Sequence, residues 1–137
     1  MASRWLVKTE PGTYSWADLV RDRRTVWDGV KNPLALKHLA AMKNGDEVLL
    51  YHSGAEKAAV GIARVVRAPY PDPKKDDPRL VVVDLEAVRP LPKPARLADM
   101  RRDPKLASFD LLRLPRLSVM PVPPAVWTEI VRMAAAS

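Results

Sequence analysis

The amino-acid sequence predicts an α+β domain built on a small curved sheet or partly closed barrel, with helices packed at its ends. Its 137 residues, 47% of them hydrophobic and 28% charged, are typical of one globular domain. Strand and helix patterns alternate at first, and strands joined by short turns follow, which favours an antiparallel or mixed sheet over a doubly wound one. Fourteen prolines exclude a long helical bundle.

The first two strands enclose a helix. Residues 4–9 are rich in β-branched and aromatic side chains, which predicts a strand. Ser15, with Asp18 three residues on, has the spacing of a capping box and predicts a helix from Trp16. A short extended segment at 25–27 follows.

A second helix is predicted where Asn32 precedes Pro33, because this pair is typical of an N-cap and a first helical residue. Asn44 and Gly45 should end it. The remaining elements share β-rich or capped patterns: we expect strands at 46–53, 58–68, 80–88 and 117–122, and helices at 95–102 and from Pro124 to about 135.

Proline and glycine positions indicate the loops. Four prolines within 69–78 predict an exposed loop, and Pro90, Pro92 and Pro94 predict a second irregular stretch. Gly61, inside a strand pattern, predicts a bulge or a close backbone approach.

The charge balance favours a polyanionic partner. Lys and Arg total 23 against 16 Asp and Glu, so the net charge is +7 and the isoelectric point is about 10.0. Nucleic acid or an anionic membrane surface would suit this charge. The sequence shows no signal peptide and no membrane-spanning run, so we expect a cytoplasmic protein, nucleoid-associated or nuclear as an alternative, that is not secreted.

Enzymatic interpretations have little support. The absence of cysteine excludes a thiol nucleophile and Cys-ligated metal sites. His38 has no partner at metal-ligand spacing, and His52 and Ser53 are strand neighbours whose side chains should point to opposite faces. We therefore expect no catalytic residue, no metal and no cofactor.

Four tryptophans stand out in so small a chain. Trp5, Trp16 and Trp127 lie on apolar faces and are expected in the core. Trp27 begins a segment, residues 27–32, that could offer a stacking plane, an acceptor and donors to a flat heterocycle. The segment could equally be a turn followed by a helix cap.

Two further groups have open interpretations. Tyr51, His52 and Ser53 end a strand, where they could line a site or form a half-buried strand with a satisfied histidine. Arg116, close to the start of a strand, could bind a phosphate or be a solvated charge.

Together, these segments resemble the EVE domain family over nearly the whole chain. The matching blocks are WLVKTEP at 5–11, YS at 14–15, VWDGVKN at 26–32, GD at 45–46, YHS at 51–53, VG at 60–61, YPD at 70–72 and RLSV at 116–119. The resemblance implies a single PUA-like domain over 1–137, with a strongly curved mixed sheet or open β-barrel and surrounding helices. It also implies kinship with YTH, SRA and ASCH domains, and hence a pocket for a flipped, modified base.

The resemblance implies where that pocket lies. The positions it indicates are Lys8, Thr9, Glu10, Trp27, Asp28, Gly29, Val30, Lys31, Asn32, Tyr51, His52, Ser53, Arg116 and Ser118. Leu34 and Leu36 depart from the family, whose members commonly carry polar residues there. Lys31 replaces a common arginine and so lacks the planar fork.

We therefore expect a non-enzymatic reader of modified nucleobases, with Trp27 as a partly exposed stacking ring. DNA is favoured over RNA as the partner, without a membrane, and a monomer is favoured. The alternatives are an RNA-binding PUA-type module and an enzyme on modified bases with His52 as acid–base.

Overall fold

Six strands form one mixed sheet in this computed structural model, which describes residues 3–135. The strands are β1 (Arg4–Thr9), β2 (Arg24–Trp27), β3 (Glu47–His52), β4 (Ala58–Pro71), β5 (Val81–Arg96) and β6 (Val119–Pro121). Their order across the sheet is β2-β5-β4-β3-β1-β6. Only the β1–β3 pair is parallel among these strands, so the predicted mixed sheet is confirmed.

Five α-helices surround the sheet: α1 (Trp16–Asp22), α2 (Pro33–Ala40), α3 (Leu97–Arg101), α4 (Asp110–Arg113) and α5 (Pro124–Met133). A 3-10 turn at Pro104–Leu106 precedes α4. The predicted capping box is present, with Ser15 and Asp18 each bonding the other's backbone N–H. Within residues 3–135, none of these helices has the length and apolar character needed to span a membrane.

The two longest strands bend the sheet. β4 and β5 pair with four register shifts between Ala59 and Tyr70, and each irregularity bends a strand and increases its twist. β3 has a buried run from Val48 to His52, as expected of a strand covered on both faces. The core therefore lies on both sides of the central strands, and the predicted curvature has a local cause.

Trp5 and Trp127 are buried as predicted, and Trp16 packs half-buried against the core. The Trp16 ring lies directly over Gly61, where an added Cβ would lie 2.5–2.6 Å from three ring atoms. β4 also shifts register between Ala59 and Gly61. Both expectations for Gly61, a bulge and a close approach, are confirmed.

The proline-based loop predictions were partly wrong. β4 continues to Pro71, and β5 runs through Pro90, Pro92 and Pro94 to Arg96. The pairing of β5 with β4 shifts register between Ala59 and Gly61, so residues 91–94 have no partner in β4 within the described part of the chain. Pro92 and Pro94 lie in this unpaired stretch, where a missing N–H leaves no position of the ladder unfilled.

Helix boundaries also differ from the expected ones. α2 ends at Ala40, before Asn44, and α3 begins at Leu97 because Ala95 and Arg96 still pair with β4. The 3-10 turn and α4 were not predicted. Each has fewer than five residues, too few to show a helical hydrophobic period.

The carboxylate of Glu129 links α5 to the 3-10 turn at Pro104–Leu106. Nε of Arg132 donates to it at 2.9 Å, and Nζ of Lys105 lies 3.9 Å away. Hydrogen bonds with Arg132 and with the Asp103 side chain, aided by the charges of Arg132 and Lys105, lower the pKa of Glu129 from 4.5 to about 2.

We predict that the free energy of unfolding decreases as the pH falls from about 4.5 toward about 2, as Glu129 becomes protonated. A lowered folded-state pKa contributes stability that is present above the unfolded-state pKa and is lost below it. Urea unfolding at a series of pH values measures this. Glu129→Gln should flatten the profile in that interval, and an unchanged slope would contradict the assignment.

Candidate nucleic-acid interface

A cavity of about 810 Å³ opens where the end of β1 faces β2 and the loop that follows it. Nine of the predicted site residues line it: Lys8, Thr9, Glu10, Trp27, Asp28, Gly29, Val30, Lys31 and Ser118. Other lining residues were not predicted: Thr13, Tyr14, Arg24, Thr25, Val26, Lys74 and Asp84. The cavity thus combines aromatic, acidic and basic side chains from four parts of the chain.

Trp27 forms part of the wall and belongs to the core at the same time. It ends β2 beside Val83, and only 8% of its surface is exposed. Its ring meets that of Tyr14 edge-on, with centroids 6.3 Å apart and an angle of 81°. The expectation of a partly exposed ring was wrong, because Trp27 belongs to the hydrophobic core and its ring packs against Tyr14.

The Tyr14 side of the cavity is held by hydrogen bonds. Oγ1 of Thr9 donates to the Tyr14 carbonyl at 2.6 Å, and the Tyr14 hydroxyl donates to Asp22 at 2.9 Å. Burial raises the pKa of Tyr14, so its hydroxyl is neutral at physiological pH. This wall is consequently preorganised and uncharged.

Asp84 is the buried acid of the cavity, with 6% of its surface exposed. Its Oδ1 accepts from the Tyr70 hydroxyl at 2.6 Å, and its Oδ2 accepts from Nη2 of Arg24 at 2.8 Å. Burial opposes ionisation, but these hydrogen bonds and the charges of Arg24 and Arg67 outweigh it and lower the pKa of Asp84. Asp84 is therefore a carboxylate at neutral pH.

Sequence reasoning missed Asp84, although a signal was available. It is a lone acid within the apolar run Val81-Val82-Val83-Asp84-Leu85, of which residues 82–85 are all buried. An acidic side chain that is buried in an apolar strand requires hydrogen-bond or charged partners. Such buried acids often lie in functional sites.

Four cations line the cavity: Lys8, Arg24, Lys31 and Lys74. Nζ of Lys8 donates to the carbonyl of Pro115 at 2.8 Å, and burial lowers the pKa of Lys8. Lys31 and Lys74 are exposed to solvent. The rim can thus approach a phosphate backbone while the interior remains aromatic and acidic.

Asn32 and Arg116 lie beside this cavity in a neighbouring cleft of about 350 Å³. Oδ1 of Asn32 accepts from the N–H groups of Leu34 and Ala35, so Asn32 is the predicted N-cap of α2. Leu34 lines the same cleft and is 41% exposed. The departure from the family pattern at Leu34 therefore falls on the surface next to the cavity.

Tyr51, His52 and Ser53 are not among the residues that line the cavity. His52 is buried; its Nε2 accepts from the Trp16 N–H at 2.9 Å, and its Nδ1 lies 2.6 Å from Oε1 of Glu56. Both ring nitrogens are engaged, so His52 caps the start of α1. Tyr51 is buried, and Oγ of Ser53 donates to the Thr9 carbonyl at 3.2 Å.

A bent mixed sheet with surrounding helices and a cavity at the strand ends defines a PUA-like domain. A solved ASCH protein from Zymomonas mobilis shares this fold at 9% identity, with a TM-score of 0.60. The EVE domain model matches residues 3–133. The chain therefore belongs to the EVE domain family, as its sequence blocks predicted.

Similar proteins include one from Rhodopseudomonas palustris, whose NMR structure is 39% identical, with a TM-score of 0.93 over 97% of this chain and 93% of that one. Human THYN1, crystallised in complex with DNA containing 5-methylcytosine, is 28% identical with a TM-score of 0.89 over 99% of both chains. Human thymocyte nuclear protein 1 is 31% identical over 74% of this chain. The matched region is 56% of that human protein's length.

Proposed function

We propose that this domain binds DNA that carries a modified base and holds that base, rotated out of the duplex, in the 810 Å³ cavity. The observation that carries the proposal is the combination of an aromatic wall, a buried carboxylate and a cationic rim in one cavity. The complex of human THYN1 with DNA containing 5-methylcytosine supports the choice of ligand. Binding without chemical conversion is part of the proposal.

Binding would proceed by separable contributions. The basic rim attracts the phosphate backbone with little sequence information. Rotating a base out of its stack costs a few kcal/mol. Contact with an aromatic wall returns about 1–3 kcal/mol of it. Because little of Trp27 is exposed, it and Tyr14 would meet the base along one edge of the cavity.

The predicted residues take different roles in this proposal. Lys31 and Arg116, which are exposed, would contact phosphates next to the rotated nucleotide. Asn32, His52 and Ser53 would act by holding α2, α1 and the end of β1 in place. Tyr51 supports Lys8, whose Nζ lies 5.9 Å from the centre of its ring.

The test is a titration at fixed salt against matched oligonucleotides that carry different modified bases at one position, as DNA and as RNA. Tighter binding of one modified DNA than of its unmodified counterpart supports the proposal. Preference for the RNA series would favour the RNA-binding alternative, because the 2′-hydroxyl distinguishes the two polymers. Mass spectrometry after long incubation would detect conversion of the base, and its detection would contradict a purely binding role.

Affinity for modified DNA should decrease steeply with salt. The logarithm of the binding constant falls linearly with the logarithm of salt concentration, at a slope of about −0.9 per phosphate neutralised. Lys31→Gln should make this slope shallower by about one phosphate contact. Lys93→Gln, which removes an exposed charge outside the cavity lining, is the matched control and should leave the slope unchanged. A salt-independent affinity would argue against nucleic acid as the ligand.

A further inference from the structure

We infer that Asp84 makes the cavity selective for bases with an exocyclic amino group, such as cytosine and its 5-methyl derivative, over bases with a carbonyl there. The inference rests on the proposed function and specifies the ligand of the same site. Its basis is the position of the only strongly buried acid that lines the cavity within residues 3–135.

The other two carboxylates of the cavity are placed differently. Glu10 is exposed, and its Oε1 accepts from the Gly12 N–H at 3.1 Å. Asp28 is also exposed, in the loop after β2. Water competes more strongly for these two groups than for Asp84, of which only 6% is exposed. Discrimination between bases should therefore depend mainly on Asp84.

Asp84 retains acceptor capacity that a ligand can use. Its oxygens accept one hydrogen bond each, from Tyr70 and from Arg24, and an ionised carboxylate has about four acceptor positions. These two partners come from β4 and β2, on either side of β5, so they orient the carboxylate within the sheet.

The charge of Asp84 determines which base edge it accepts. A carboxylate cannot donate, so it pairs with an amino group, as acidic side chains do with N4 of cytosine. A carbonyl at the same position would bring two acceptors together and leave both without a donor after losing water. Arg24, which also lines the cavity, supplies a donor next to this acceptor for a neighbouring carbonyl or ring nitrogen.

The presence of a buried acid in a cavity that is proposed to bind a polyanion supports a role of Asp84 in base recognition. Carboxylates repel phosphates, so Asp84 cannot assist attraction of the backbone. Four cations share the lining and perform that task. A negative charge kept in the interior suits recognition of the base itself.

The experiment compares two DNA duplexes that differ only at the target nucleotide, which faces an abasic site so that neither base is paired. One duplex carries 5-methylcytosine and the other thymine, which share the 5-methyl group and the carbonyl at position 2. They differ at position 4, amino against carbonyl, and at N3, which accepts in 5-methylcytosine and carries a hydrogen in thymine. We expect the wild-type domain to prefer 5-methylcytosine by about tenfold or more. In Asp84→Asn, whose amide can both donate and accept, the ratio should fall toward one or reverse.

Glu86→Gln is the matched control. Glu86 lies two residues along β5 and is paired with Arg64 at 2.8 Å, but it does not line the cavity. Its substitution should leave the preference intact. Thermal midpoints of both variants verify folding, and the wild-type ratio by itself provides a test if Asp84→Asn does not fold.

The outcomes separate this inference from the proposed function. Tight, salt-dependent binding of both duplexes with equal affinity would overturn the selectivity and leave DNA binding in place. A full preference that persists in Asp84→Asn would overturn the role of Asp84. If the domain binds neither duplex more tightly than the same duplex with an ordinary paired base at that position, the proposed function is contradicted. The inference then fails with it.

Discussion

Replacement of Trp27 by alanine should destabilise the domain by about 3–5 kcal/mol, because removing a buried indole leaves a cavity. Only 8% of Trp27 is exposed, and the residue ends β2 opposite Val83 with its ring edge-on against Tyr14. Small domains are stable by about 5–15 kcal/mol, so the variant should melt early or express poorly. Urea unfolding of the purified variant measures the loss.

Trp27→Phe separates the stability of the wall from its contact with a base. The variant keeps an aromatic ring and should therefore fold. Complete loss of about 1–3 kcal/mol of stacking would lower the affinity for modified DNA by one to two decades, and Trp27→Phe should lower it by less. Val26→Ala is the matched control: Val26 also lines the cavity but is 44% exposed. The free energy of unfolding of Val26→Ala should differ from that of the wild type by no more than about 0.5 kcal/mol. A Trp27→Ala variant as stable as the wild type would refute the core assignment.

Gly61→Ala should also be strongly destabilising, by about 1–3 kcal/mol or more, through overpacking. The new Cβ would lie 2.5–2.6 Å from three carbons of the Trp16 ring, closer than carbon atoms can approach. Trp16 is the first residue of α1, so relief of the clash would displace the start of that helix. Thermal and urea unfolding report the loss directly.

Two variants test the proposed cause. Gly12→Ala adds the same methyl group at an exposed glycine whose nearest neighbour would be an ordinary 3.5 Å away, and it should be nearly neutral. Trp16→Leu in the Gly61→Ala background removes the ring and should recover part of the loss. If the double variant is as unstable as the sum of both single changes, contact with Trp16 is not the cause.

The sequence correctly predicted the features that depend on only a few neighbouring residues. Ser15 and Asp18 form the capping box, and Asn32 caps α2, because each needs only backbone N–H groups within three residues. Gly61 indicated a close approach for a similar reason, since a glycine in a strand leaves room for a neighbouring side chain or backbone segment. The family resemblance added the mixed sheet and most of the cavity lining.

Strand ends depended on neighbours that no local pattern reveals. Pro90, Pro92 and Pro94 mark a loop by composition, but they lie in β5, where the pairing with β4 shifts register and leaves residues 91–94 without a partner in β4. Whether a proline interrupts a strand depends on which side needs its missing N–H. That is a property of the sheet rather than of the segment.

The sequence by itself determined the α+β class, the basic charge, the helix caps and the membership in a family. Only the tertiary structure decided which residues face the cavity. It placed His52 under α1 as a cap, buried most of Trp27, and brought Asp84 to Arg24 from 60 residues away. Helix caps and hydrophobic periodicity depend on residues a few positions apart. A cavity, by contrast, forms from side chains that meet only after the strands have paired and bent.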